Sequence, residues 1–476
     1  MIALHCWHVA CQPAAARFRA ALRDPWPVVQ GRLAEYGLDH AALRRLPLTT
    51  WDDYAAWTEQ VRVQGDDGRG VLRLVPTSGS GAARKLVPWT AALGTEFRAG
   101  VSAWIGDLYS RHARLRDGPA WWVVTPPVSR SLASAVPVGF DDDSAYLGGR
   151  LARLVAPTLV IDARRLRGAG GDWQEATAMA LLRCAELRLI SAWHPSLVLG
   201  MLAYLRVARE RLLARLPVGA RRRDLERHDW SSPGELWPHL ELVSCWGDGP
   251  AAPAWAELRT RLRGIATQAK GLLATEGVVT IPWRGAHPVA VTAHVHEFRD
   301  AAGALGFAHE VQLGQRYEVV LTTGGGLRRY LLGDMVEVTG FVGRVPSLRF
   351  LGRRGGVSDL AGEKLDEVLV AQALAEAGLC AALAVVQARP DGAGYRLLVD
   401  VGIADPQAAA RAVETALRRI HHYDVARTLG QLEPLLAAGL PYDGGTCLAR
   451  WAVHHGQRLG ETKLPALLPA GATPWT

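Results

Sequence analysis

The sequence of 476 residues has little that would tie it to a membrane, an oxidising compartment or a nucleic acid. No stretch approaches the roughly 20 uninterrupted apolar residues that a bilayer span requires. The longest apolar runs, such as Ser196–Leu205, stop at charges such as Arg206. The opening segment, MIALHCWHVACQPAAARFRAAL, has no basic lead and no long apolar centre, so it does not read as a secretory leader. A soluble cytoplasmic protein is therefore expected. The cysteines Cys6, Cys11, Cys184, Cys245, Cys380 and Cys447 are dispersed and form no CxxC pair. That spacing excludes a disulfide framework and fits a reducing compartment. Basic residues exceed acidic ones only by 54 to 46, and the excess is almost all arginine. Arg221–Arg223, Arg328–Arg329 and Arg353–Arg354 are short clusters, without the stripe of basic and stacking residues that nucleic-acid binding uses. No period of 20–50 residues recurs, which excludes solenoids and propellers. There is no GxSxG, and Ser80–Ala83 lacks the lysine of an SxxK string, so a serine acyl-enzyme has no support.

What is present suits a folded globular chain: 49% hydrophobic and 21% charged residues. The length suggests two to four domains, or one large domain with an appendage. Residues 14–60 have helical spacing interrupted by Pro25 and Pro27. VLRLVPTSGSGAARKLVPWT then reads as strand, small-residue loop, strand, followed by a helix over Trp89–Ser110 and a buried strand in Pro119–Thr125. Helices over Asp172–Arg188, Pro195–Leu216 and Ala251–Leu262 alternate with strands at Leu240–Trp246 and ending at Gly271–Ala274. Such alternation predicts a mainly parallel sheet flanked by helices. From YEVVLTTGGGLRRYLLGDMVEVTGF to SLRFLGR the period becomes two, which predicts a β-rich subdomain. After the glycine-rich break RGGVSDLAGEK comes an α+β pattern: helix Leu365–Ala377, strands Ala382–Gln387 and Tyr395–Val401, and helices Pro406–Ile420 and Gly444–His455. The expected organisation is a large α/β domain over 1–352, a hinge over 353–362 and a small, mobile α+β domain over 363–476.

Four segments carry chemistry. In Thr77–Lys85, TSGSGAARK, small hydroxylated residues and glycines let backbone N–H groups face a phosphate, with hydroxyls and one lysine completing an anion cradle. It is not the GxxxxGK[ST] loop, because Arg84 and Leu86 occupy positions that need glycine and Ser/Thr. An ordinary turn between strands reads equally well. In LLATEGV, a strand feeding Thr275-Glu276 places a hydroxyl and a carboxylate where open α/β sheets collect ligands. Thr275 can donate to a phosphate, and Glu276 can hold Mg²⁺ together with phosphate oxygens. In YLLGDMV, an apolar strand ending at Asp334 offers a carboxylate to both hydroxyls of a ribose. In RFLGRRGGVSDLAGEK, running to Lys364, Arg353 suits phosphate or ribose and the following glycines allow rotation.

Other clusters read as structure. HCWHVAC offers four candidate ligands, His5, Cys6, His8 and Cys11, but structural zinc sites pair well-separated ligand groups, and an N-terminal amphipathic helix is the simpler reading. His294 and His296 are strand neighbours with no third metal ligand in view. The 17 tryptophans are mostly core, with some of Trp104, Trp121, Trp122, Trp193 and Trp246 expected to line an apolar acyl site.

Taken in order, these segments resemble the auxin-responsive Gretchen-Hagen-three family of acyl-acid amido synthetases, of the adenylate-forming superfamily, and its stand-alone bacterial branch in particular. The resemblance extends through SAWHPSLVL, LVSCWGDG and LLATEGVVTIP to HHYDVARTLGQL and GQRLGETKLPALL, from about residue 5 to 470. Ala82 stands where the family's phosphate loop has glycine, and Thr275-Glu276 where plant members have Ser-Glu. The resemblance implies a ligase that uses ATP and Mg²⁺ to turn a small carboxylic acid into acyl-AMP and then passes the acyl group to an amine or amino acid. A thiol acceptor such as coenzyme A, or binding without turnover, are the alternatives. The implied nucleotide-binding residues are Thr77, Ser78, Gly79, Ser80, Lys85, Thr275, Asp334 and Arg353. The implied catalytic residues are Glu276, also the metal ligand, Lys364 and Lys463, the last on a C-terminal segment that swings over the site. Neither a nucleic acid nor a membrane is an expected partner.

Overall fold

The computed structural model describes residues 2–77, 85–122, 133–140, 152–153, 155–162, 166, 173–353, 358, 360–361, 363, 365–379, 384–454, 462 and 464–472. Among the described residues, no helix is long and apolar enough to cross a membrane. The chain opens with helices α1 (Ile2–Ala21), α2 (Trp26–Glu35), α3 (His40–Arg45) and α4 (Asp52–Gln64). HCWHVAC lies on α1, with Trp7 and Cys11 buried and His5 and Cys6 facing solvent, which is the amphipathic pattern expected of it. No group of three or more His, Cys, Asp or Glu among the described residues is placed to hold a metal.

Strands β1 (Val71–Pro76) and β2 (Leu86–Thr90) form an antiparallel hairpin that leads into the long helix α5 (Ala91–Arg111). Thr90 caps α5 by accepting the Leu93 N–H, as a β-region threonine at a helix start should. A four-stranded parallel sheet follows in the order β3 (Ala120–Trp122), β4 (Leu189–Ser191), β5 (Leu242–Trp246), β6 (Ala266–Lys270). Its connections carry α6 (Trp173–Arg183), α7 (Pro195–Val207), α8 (Arg209–Arg215), α9 (Ala220–Glu226), α10 (Pro233–Leu236) and α11 (Ala252–Arg261). The strands alternate between two cores. Ile190, Val243 and Cys245 pack among Leu181, Leu205 and Leu258, whereas Leu189, Leu242 and Trp246 belong to the core of Leu108 and Tyr109.

Two expectations need correction here. Pro195–Leu216 is not one helix: Ala208 separates α7 from α8. Gly271–Ala274 does not end a parallel strand. The parallel strand is β6, and the chain turns back beyond it in the two-residue hairpin β7 (Leu273–Ala274) and β8 (Gly277–Val278). Apolar residues flank the Thr275-Glu276 turn on both sides, Leu272–Ala274 before it and Gly277–Val279 after it, so hydrophobicity alone does not mark the reversal.

The β-rich unit is a five-stranded antiparallel sheet built from β9 (Val295–Arg299), β10 (Leu305–Phe307), β11 (Arg316–Thr322), β12 (Tyr330–Val342) and β13 (Val345–Arg353), in the order β10-β9-β11-β12-β13. Arg329, from the supposed basic cluster, is buried and makes a two-pronged bond to Glu297, with both N···O distances 3.0 Å. It fastens the N-terminal helices to this sheet, since its guanidinium also donates to the Leu46 carbonyl at 2.7 Å.

The remaining described chain forms α12 (Glu367–Glu376), β14 (Ala384–Ala388), β15 (Tyr395–Val399), α13 (Pro406–Leu417), α14 (His421–Thr428), β16 (Leu436–Gly439), α15 (Gly444–His454) and β17 (Leu467–Leu468). Its sheet is mixed, in the order β16-β15-β14-β17, and Val370, Val386, Leu397, Val413 and Tyr423 fill a core of their own.

Candidate nucleotide and acyl site

The glycine-rich segment connects β1 to β2. Thr77 donates its N–H to the Lys85 carbonyl at 2.9 Å, closing the loop's neck and placing the two residues side by side. Ser78, Gly79, Ser80 and Ala82 lie outside the described residues. From the neck, the Lys85 ammonium donates to the Tyr330 hydroxyl at 3.1 Å. Burial lowers the Lys85 pKa, while the charges of Glu276 and Asp334 work the other way.

Thr275 and Glu276 form the turn between β7 and β8. Glu276 is 2% exposed. Burial raises its pKa, countered chiefly by the Arg353 charge and then by a backbone N–H and Lys85. Tyr330 sits at the start of β12, and burial and then Glu276 raise its phenol's pKa.

Asp334 is in a different place from the one expected. It is not at a strand end. β12 continues eight residues past it, to Val342. Gly333 has φ +81°, and the β12–β13 register slips just after Met335. A positive φ is open to glycine at little cost, so the strand bends here without ending. The bend leaves Asp334 buried, at 3% exposure, opposite Arg353, the last residue of β13. Arg353 Nε donates to Asp334 Oδ1 at 3.0 Å, and this carboxylate is the foremost reason that the guanidinium's pKa is raised.

Four segments far apart in sequence thus bring Lys85, Glu276, Asp334 and Arg353 within electrostatic reach of one another. Of the other expected residues, Lys364 and Lys463 lie outside the described residues. Tyr330 had not been singled out from the sequence. Its signal is the aromatic that opens YLLGD.

A second group lies at the C-terminal ends of the parallel strands, where open α/β sheets bind ligands. The Lys270 ammonium, at the end of β6, donates to Ser191 Oγ at 2.7 Å, at the end of β4. It lies 4.8 Å from the Trp104 ring centre, 5.3 Å from Trp193 and 5.9 Å from Trp122. Of the other expected acyl-site tryptophans, Trp121 packs in the α6–α7 core and Trp246 lies 5.4 Å from Phe350. Lys270 was missed, although a count would have found it. The chain has only four lysines, Lys85, Lys270, Lys364 and Lys463. Where arginine is the habitual cation, each lysine marks a place that calls for a compact ammonium.

Residues 294–353 match the GH3 family central domain. This GH3 segment runs from His294 through β9–β13 and ends on Arg353, so it contains both Asp334 and its partner. The resemblance to the GH3 family holds in the relatives as well. An indole-3-acetic acid-amido synthetase of Arabidopsis thaliana, GH3.5, is 43% identical over 68 residues, 14% of this chain and 11% of that protein. A GH3 domain-containing protein of Mus musculus is 32% identical over 155 residues, 30% of this chain and 29% of that one. With the first of these relatives the alignment covers about a tenth of its length. The fold similarity is much wider. The structure of the acyl acid amido synthetase GH3.15 in complex with 2,4-DB superposes with a TM-score of 0.77 at 17% identity, over 96% of this chain and 94% of that one. The chain therefore has the fold of the GH3 amido synthetases.

Proposed function

We propose that this chain is an ATP-dependent ligase that activates a small carboxylic acid as acyl-AMP and joins it to an amine or amino acid as an amide. The observation that carries the reading is the convergence of Lys85, Glu276, Asp334 and Arg353 beside the neck of the hairpin loop. Lys85 and the loop residues Thr77, Ser78, Gly79 and Ser80 bind phosphates, with Thr275 donating a hydroxyl. Asp334 accepts the ribose hydroxyls, and Arg353 meets phosphate or ribose.

The donor set fits a divalent ion. Two cations face two carboxylates, so the protein by itself leaves the charge of a triphosphate unmet. Glu276 supplies one hard oxygen ligand, and Mg²⁺ commonly takes one or two carboxylates with phosphate oxygens and water. When bound, Mg²⁺ neutralises phosphate charge as pyrophosphate departs. The carboxylic acid becomes reactive because adenylation gives its carbonyl a good leaving group, and the chain's task is to orient the partners and balance charge. Trp104, Trp122 and Trp193 wall the acyl side.

The proposal includes a division of the chain at 353–362 into a domain of residues 1–352 and a small domain of residues 363–476. The small domain takes one posture for each half-reaction, and Lys463 and Lys364 act from it. Dispersed cysteines support a reducing compartment such as the cytoplasm, and burial raises the thiols of Cys11 to about 11 and Cys245 to about 12. The deciding experiment is exchange of labelled pyrophosphate into ATP across a broad panel of carboxylic acids. Acid-dependent, Mg²⁺-dependent exchange and AMP as product are expected. ADP and phosphate without AMP would reject adenylation.

A further inference from the structure

The hairpin that carries Glu276 has only two residues on each side, too few to hold a turn by its own ladder. Something else fixes it. His294 Nε2 accepts the Val278 N–H at 3.0 Å, and His296 Nε2 donates to the Val278 carbonyl at 3.0 Å. Both polar groups of one residue, two positions beyond Glu276, are thus gripped by two histidines, one just before β9 and one within it. The rings are 0% and 3% exposed.

These roles require opposite tautomers. His294 carries its proton on Nδ1, and His296 carries its own on Nε2. Each is fixed by its surroundings. The Nδ1–H of His294 donates to Glu96 Oε2 at 2.8 Å. In His296 the Val278 carbonyl selects the Nε2–H tautomer, and burial, which lowers the pKa to about 3, keeps the ring neutral. Glu96, on α5, is held in turn by the Tyr36 hydroxyl at 2.7 Å and by the Gly324 N–H, at 3.0 and 2.9 Å from its two oxygens. The fit is close. A Cβ on Gly277 would come within 2.9 Å of His294 Nε2.

We infer that Glu96, His294 and His296 are positioning residues for the magnesium–nucleotide site, fixing the turn from which Glu276 projects towards Lys85 and Arg353. What Glu276 does there rests on the proposed function; the clamp on Val278 does not. A buried polar chain of this kind costs desolvation that an apolar packing would avoid, and it returns a single geometry.

Three variants test this. His294→Leu removes the acceptor for Val278. His294→Gln restores a carbonyl acceptor and an amide donor for Glu96, and it also serves if the leucine variant does not fold. Tyr36→Phe removes a bond to the same carboxylate without touching the turn. Hydrogen–deuterium exchange of the ligand-free protein over residues 271–280 should accelerate in His294→Leu and recover in part in His294→Gln. It should not change in Tyr36→Phe. In pyrophosphate exchange, His294→Leu should lower kcat tenfold or more and raise the Mg²⁺ concentration for half-maximal rate. Its KM for ATP should stay within threefold, because the loop and Asp334 are untouched. Tyr36→Phe should lose thermal stability and keep kcat. Unchanged exchange over 271–280 in His294→Leu, or a kcat for His294→Leu equal to that of Tyr36→Phe, would overturn the inference. No pyrophosphate exchange by the wild type would reject the ligase reading, while faster amide exchange in His294→Leu would still uphold the clamp.

Discussion

Replacing Asp334 with alanine should separate ligand recognition from folding. Asp334 is 3% exposed and its carboxylate accepts a hydrogen bond from Arg353, whose side chain keeps 42% of its surface open. Removing the carboxylate therefore does not strand a buried cation, because water reaches the guanidinium. The several kcal/mol expected on breaking a fully buried pair does not apply. A half-exposed pair is worth about 0–1 kcal/mol, so Tm should fall by a few degrees at most. Nucleotide binding should suffer more. Two ribose hydroxyls left without their acceptor in a partly closed site cost about 1–3 kcal/mol, or roughly 5–150-fold in Kd. Isothermal titration with ATP and with 2′,3′-dideoxy-ATP decides the matter. The wild type should prefer ATP by that factor, and Asp334→Ala should bind the two about equally. Asp334→Asn, which keeps one acceptor oxygen, should fall between them. A variant that still prefers ATP strongly would refute the ribose assignment, and one that unfolds would refute the small stability cost.

Three further predictions concern protonation, the small domain and the acceptor. Burial raises the Glu276 pKa, so its ionised form, and with it Mg²⁺ binding, is gained only as pH rises above the usual carboxylate range. The acid limb of pyrophosphate exchange should move to higher pH in Lys85→Met, which removes a stabilising cation, and to lower pH in Asp334→Asn, which removes a repelling anion; no movement in either would exclude Glu276 as the titrating group. Lys463→Ala should slow adenylation by about 10²–10³, the cost of losing one charge contact in the transition state. Supplied with synthetic acyl-adenylate, it should still form amide at near wild-type rate; a parallel fall in both half-reactions would argue against two postures of the small domain. Mass spectrometry of reactions offered amino acids and coenzyme A together should show mainly amide, and exclusive thioester would reverse the choice of acceptor.

The order of elements was readable because each depends on local pattern. Period-two segments became β11, β12 and β13, and the helical spacing over Trp89–Ser110 became α5. Lys85, Glu276, Asp334 and Arg353 were readable as candidates because lysine, carboxylate and arginine sit beside glycine or turn residues in short motifs. What was not readable depends on contacts distant in sequence. Glu96 lies mid-helix and looks like any solvated carboxylate, yet His294, 198 positions away, buries it. His294 and His296 were read as structural for want of a third metal ligand, and that they grip Val278 was not visible from the sequence. The interior position of Asp334 in β12 was missed because Gly-Asp is a common turn signal. Here the same dipeptide makes a bend in a strand that keeps its partner. The strands β16 and β17 have four and two residues, too short to show a period.

The pairing of Asp334 with Arg353 has a thermodynamic corollary. Arg353 is the last residue of β13, where the chain leaves for the small mixed sheet. On the proposed role of Asp334, a ribose bound there would compete with the guanidinium for the carboxylate. Whatever posture of the following chain best suits a released Arg353 is therefore favoured by nucleotide, and by linkage that posture tightens nucleotide binding by an equal factor. A single carboxylate can in this way act as both ligand sensor and latch. The coupling it transmits is bounded by the worth of one half-exposed ion pair, about 0–1 kcal/mol, or up to about fivefold in affinity.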